Sequence, residues 1–180
     1  TTTALTSLTA SGATIGALNV KTTGLQSYTG TTSTTLNGTY LTAGGTWTDV
    51  GPVLLGGATA IDTTNAGGTP AGANISFSGA TSTVNNAQTL ALTAGAGDVL
   101  VGGIAGTTAL TSLTASGNAV NVNAVTTTGA VSITAGTDVT VGGTLTAGST
   151  IGVLFGQSAA GTFTANAGFA APGAKPVTGG

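Results

Sequence analysis

The chain contains no Cys, His, Met, Arg or Glu. Its only charged side chains are Lys21, Lys175, Asp49, Asp62, Asp98 and Asp138. Most enzymes draw on His, Cys, Lys or paired carboxylates for proton transfer, nucleophiles and metal ligands. Six scattered charges supply almost no material for such a centre, so we expect no catalytic residue, no cofactor and no metal. Two lysines within a net charge of −2 cannot neutralise a phosphate backbone, which argues against nucleic acid as a partner. Without Cys there is no disulfide framework and no thiolate zinc site. The apolar runs are a few residues long, too short for a transmembrane helix. No secretory leader is visible, and a chain that starts at Thr1 without Met reads as a processed product or an excised piece.

What is present is apolar but finely divided. Hydrophobic residues make up 40% of the chain, more than a disordered segment carries. Threonine is abundant, which favours strands and disfavours helix interiors. Residues 2–12 recur unchanged as residues 107–117, both reading Thr-Thr-Ala-Leu-Thr-Ser-Leu-Thr-Ala-Ser-Gly. A match of that length marks an array, and arrays of this kind are built by stacking one unit on the next.

A shorter period lies inside the long one. Leu92, Leu113, Ile133 and Val153 follow one another at steps of 20 or 21 residues, each beside small residues. Val120-Asn121-Val122-Asn123 and Val139-Thr140-Val141 alternate apolar and polar positions, the mark of a strand with one buried face. Gly, Asn and Ser punctuate these stretches where the chain must turn. No helical apolar period appears, and the density of glycine would penalise one.

Such units predict an all-β fold, a right-handed parallel β-helix of about 20 residues per coil and roughly nine coils. Leu92, Leu113, Ile133 and Val153 are expected to form one inward ladder. The shaft should occupy residues 1–164, with an irregular insertion around residues 36–55, where Tyr40, Trp47, Pro52 and a Gly-Gly pair break the pattern. Residues 165–180 carry Pro172 and Pro176 and are expected to leave the coil as a cap or linker.

Three strings carry a resemblance. Leu90-Ala91-Leu92-Thr93-Ala94-Gly95-Ala96-Gly97-Asp98-Val99 is the first, and Thr22-Thr23-Gly24-Leu25-Gln26-Ser27-Tyr28-Thr29-Gly30 is another. Directly after the first stand Val101-Gly102-Gly103 and the run from Gly106 to Thr114, which make up the third. Together they resemble the recurring unit of large repetitive bacterial exoproteins of the filamentous-haemagglutinin type, over about residues 1–165. The resemblance implies a right-handed β-helix shaft, secretion across a bacterial envelope, and a role in adhesion, matrix or surface coat. It implies no catalytic residues.

Four features are candidate sites. Asp98 and Asp138 sit in Gly-rich turns two coils apart, roughly 10 Å, too far to share one ion; they are expected to be solvated turn residues. Asn37 and Asn74 open Asn-x-Thr/Ser acceptor patterns for glycosylation. Thr126-Thr127-Thr128, Thr144-Leu145-Thr146 and Thr162-Phe163-Thr164 repeat Thr-x-Thr, which on one flat face would suit ice binding. Tyr28, Tyr40 and Trp47 cluster where the repeat breaks and are the candidate ligand-facing aromatics.

The expected function is a non-catalytic structural module of a secreted bacterial surface or matrix protein, acting as a rigid fibre or spacer. An adhesin contacting cells or glycans is the alternative. The expected partners are adjacent coils of the same long protein or neighbouring copies stacked head to tail, with cell-surface glycans next. The expected location is extracellular or on the cell surface.

Overall fold

Short apolar–polar alternations with small residues at the turns fold here into stacked coils. The computed structural model describes residues 4–79, 84–102, 108–156, 161–165, 169–170 and 178–179. Among them are eighteen strands and no helix. In chain order these are β1 (Leu8–Lys21), β2 (Gln26–Leu41), β3 (Trp47–Val50), β4 (Val53–Asp62), β5 (Ile75–Ser78) and β6 (Val84–Asn85). Then come β7 (Thr89–Thr93), β8 (Val99–Val101), β9 (Ser112–Gly117), β10 (Val120–Val122), β11 (Val125–Thr127) and β12 (Val131–Ala135). The last are β13 (Val139–Val141), β14 (Leu145–Ala147), β15 (Ile151–Phe155), β16 (Phe163–Ala165), β17 (Phe169–Ala170) and β18 (Thr178–Gly179).

The chain is an all-β parallel β-solenoid of about 7 turns with ~21 residues per turn. Three faces result. Face A stacks β3, β5, β8, β10, β13 and β16; face B stacks β4, β7, β9, β12, β15 and β18; face C stacks β11, β14 and β17. The long β2 pairs with β3 through its first half and with β4 through its second, so it joins faces A and B in one sheet, and β1 lies along it. The expected nine coils came from an even division of the chain. The coils are unequal, and the stretch from Ile61 to its rung partner Leu92 is the longest.

Because side chains alternate across a strand, each face sends every second residue inward. On face A one column runs Gln26, Trp47, Ile75, Val99, Val120, Val139 and Phe163. On face B a column runs Tyr40, Ile61, Leu92, Ala115, Ile133 and Val153. Its neighbour runs Thr59, Leu90, Leu113, Val131 and Ile151. The expected ladder is therefore corrected at one position. Leu92, Leu113, Ile133 and Val153 are all buried, but Leu113 stands two residues out of column and Ala115 takes its place. The coil from β7 to β9 is longer than even spacing allows. A slip of two residues keeps a side chain inward while changing its neighbours.

Residues 36–55 are not an irregular insertion. They lie within β2, β3 and β4 and the turns between them, paired with both neighbours, with one register shift between Leu36 and Gly38. Gly51 and Pro52 make the corner from face A to face B. Gly51 has φ +124, and a Cβ there would fall 2.2 Å from the Gly30 carbonyl oxygen. The Pro52 carbonyl accepts from the Thr34 N–H at 2.8 Å, so the proline supplies the acceptor the rung needs. In the tail, β17 and β18 pair in parallel with β14 and β15, continuing the coil where a cap or linker was expected. Pro172 and Pro176 lie outside the described residues.

Candidate functional site

The three candidate binding aromatics face inward, not outward. Tyr28 is 1% exposed, and Tyr40 and Trp47 are at 0%. Trp47 packs 5.6 Å from Tyr28 and 4.9 Å from Phe77, and Tyr28 meets Tyr40 edge-on at 6.2 Å. These rings fill the lumen between the long strands β1 and β2 and the coils that follow, where Val and Ala would leave voids. Their polar ends are largely satisfied inside. Tyr40 Oη donates to the Ala17 carbonyl at 2.6 Å, and Tyr28 Oη to Gln26 Oε1 at 3.1 Å. The buried Gln26 in turn donates through Nε2 to the Leu41 carbonyl at 2.9 Å. A carbohydrate platform on these aromatics is excluded by their burial.

The same lumen holds a carboxylate. Asp49 is fully buried, between Tyr28 on one rung and Phe77 on the next. Neither of its oxygens makes a well-formed hydrogen bond, and the Thr34 hydroxyl and the Trp47 Nε1 are also unpaired. Burial pushes the Asp49 carboxyl up to about 6, an effect only partly offset by the Thr34 hydroxyl beside it. Burial first, then Tyr40 and Asp49, pushes the Tyr28 phenol up as well. The alternation Trp47-Thr48-Asp49 carried the signal: an inward Trp47 puts Asp49 inward.

Outside, the other acids brace the coils. Asp98 Oδ1 accepts from the Ala119 N–H and from Asn118 Nδ2, both at 3.0 Å. Asp138 Oδ1 accepts from the Thr162 N–H at 2.7 Å and its hydroxyl at 2.8 Å. These bonds, the hydroxyl first, hold the exposed Asp138 carboxyl below its usual range. Asn74 Oδ1 accepts from the Asp98 N–H at 2.9 Å. The three residues occupy the same rung position ahead of face A, so each tethers its own turn to the next coil. Asp98 and Asp138 are exposed turn residues, as expected, and all three have a structural use that needed the stacking to be seen. Among the described residues no group of three potential metal ligands comes together.

Asn74 and Asp98, with Ser76, Leu100 and Asn121, line a shallow groove of about 340 Å³ on the outside of face A. Asn37 and Asn74 are both exposed. The three Thr-x-Thr motifs do not form one rank. Thr126 pairs with Thr146, which sets the first two motifs out of step on face C. Thr164 stands on face A beside Thr140.

One sheet edge is open. β1 pairs with β2 on one side and, among the described residues, with nothing on the other. Leu5 is 54% exposed and Leu18 is 65% exposed, while Leu8, Ala10, Ile15, Ala17 and Val20 are only partly covered against the core. Compared with protein-family models, with curated proteins and with solved structures, the chain matches none.

Proposed function

We propose that the chain is a non-catalytic shaft segment of a secreted bacterial surface or matrix protein of the filamentous-haemagglutinin type, serving as a stiff spacer. The observation that carries this reading is the continuous run of inward columns from β2 to β16, broken by no helix or hinge among the described residues. Parallel coils in register resist bending because each rung is hydrogen-bonded to the next along several strands. The composition agrees: a chain without His, Cys, Arg or Glu is short of the groups that enzymes use. The three resembling strings support the family and, through it, the extracellular setting.

Tandem copies of the 180 residues, imaged by electron microscopy, test the reading. Straight rods that lengthen by roughly 34 Å per copy, from coils spaced ~4.8 Å apart, are expected. Particles that bend freely between or within copies would overturn it.

An adhesive role is the second reading, and the groove at Asn74, Asp98 and Asn121 favours it. Its carboxylate and carboxamides suit sugar hydroxyls, with Leu100 offering an apolar floor. Binding to a glycan array that Leu100→Lys and Asn121→Lys abolish would support it; no binding would leave the spacer alone.

A further inference from the structure

We propose that the open side of β1 is a docking edge for one further parallel coil, and that this coil carries an inward Leu-x-Leu pair like that of Leu90 and Leu92. The proposal rests on the reading of the chain as a stacked shaft and names the partner that its exposed edge takes.

The chain itself shows what covers this sequence. In the second copy of the repeated string, Leu113 lies between Leu90 and Val131, and Ala115 lies between Leu92 and Ile133. The Thr111 N–H donates to the Gln88 carbonyl at 2.9 Å, and the Ser116 carbonyl accepts from the Ala94 N–H at 2.9 Å. In the first copy the following coil is met in the same way. Leu8 N–H donates to the Leu25 carbonyl at 3.0 Å, as Leu113 N–H does to the Ala130 carbonyl at 3.1 Å. Backbone groups alternate along a strand, so Thr9 and Ser11 turn theirs to the side on which Thr114 and Ser116 meet β7. On β1 that side has no strand among the described residues.

The exposed apolar residues lie along the same edge. Leu110 is fully buried, whereas its counterpart Leu5 is 54% exposed. Proteins blunt free edges with proline, inward charge or bulged short strands. β1 is 14 residues long, holds no proline, and carries a single charge at its last residue, Lys21. A row of alternating N–H and C=O groups above a half-covered apolar column is met by an extended strand, not by a sugar or a lipid. That strand must be uncharged at its inward positions and parallel, since every pairing of one named strand with another is parallel, the lone antiparallel contact being the isolated bridge Ala43–Thr64.

A labelled peptide with the sequence of residues 85–96, titrated into the 180-residue protein, tests this. Saturable uptake of one peptide per chain is expected. The same peptide with Leu90→Asp and Leu92→Asp should bind at least tenfold more weakly. The protein variant Thr9→Pro removes an edge donor that the fold does not use, and should lose peptide binding at least tenfold with its melting unchanged. Should Thr9→Pro fail to fold, the substituted peptide still decides. No uptake, or equal uptake of both peptides, would overturn the proposal. So would a dimer of the protein alone that Thr9→Pro dissolves, since the edge would then serve self-pairing. Particles straight within each copy but without peptide uptake would overturn the edge and keep the spacer, whereas bending within a copy would overturn the spacer whatever the peptide does, so the two fail separately.

Discussion

Leu8 and Leu113 belong to identical strings of eleven residues, yet the molecule treats them differently. The second copy lies on face B with β7 and β12 on either side, and Leu110, Leu113 and Ala115 are at most 1% exposed. The first copy lies on face A against β2 alone, and its Leu8 and Ala10 are only partly covered. The same alternation points the same side chains inward in both. What differs is the neighbour, so burial in this fold belongs to the stack and not to the string. The repeat also moves from one face to another, because unequal coils carry it out of column.

The comparison is broken most severely by charge. Ala115→Asp places an unpaired carboxylate in a closed column and should destabilise by roughly 4 kcal/mol or more. Ala10→Asp, at the open edge, can reach water and should cost less than about 1 kcal/mol. Both are read from chemical denaturation midpoints. Truncation gives a gentler version. Leu113→Ala should cost about 3 kcal/mol, from lost transfer energy plus a cavity, and Leu8→Ala about 1 kcal/mol. Equal losses within either pair would mean that β1 is covered after all.

A third prediction sets the two ends of the lumen apart. Asp49 is the buried acid of the aromatic coils, while the coils from β10 to β15 are lined by Val, Ile, Leu and Ala with the uncharged Thr127. Its folded value of about 6 lies above its ordinary value of 3.8. The protonated form therefore suits the fold, so stability is full below 3.8 and falls as pH rises through 6. The loss should be on the order of 2–3 kcal/mol, by about 1.4 kcal/mol per unit. Asp138, held in the opposite direction, is exposed and should contribute little. Melting curves between pH 3 and 8 should slope for the parent and flatten for Asp49→Asn. A parent curve that is flat, or that rises with pH, would contradict the placement of Asp49. The smallest effect belongs to Thr9→Pro, which should change stability by less than about 0.5 kcal/mol.

Much of the architecture was legible. Alternating Val-Asn-Val and Val-Thr-Val runs, punctuated by Gly and Asn, point to stacked strands, and the 20-residue spacing points to coils. The column of Leu113 was not legible, because an even spacing hides which loop is two residues longer. Tyr28, Tyr40 and Trp47 misled because bulky residues interrupt a pattern of small ones. In the stack they fill a wide section of the lumen, and the alternation through Trp47 and Asp49 was the clue to follow. The braces from Asn74, Asp98 and Asp138 depend on which residue lies one coil away, information that only the register holds.

Amide hydrogen exchange along the two copies of the repeated string tests the central claim, that stacking rather than sequence decides what is closed. The intrinsic exchange chemistry is the same in both, so any difference reports structure alone. Leu8 and Leu113 both donate to the following coil and should both be slowed. Thr114 and Ser116 should exchange orders of magnitude more slowly than Thr9 and Ser11, whose N–H groups face the open edge. Equal protection at these two pairs would show that the first copy is already covered, and would contradict the account.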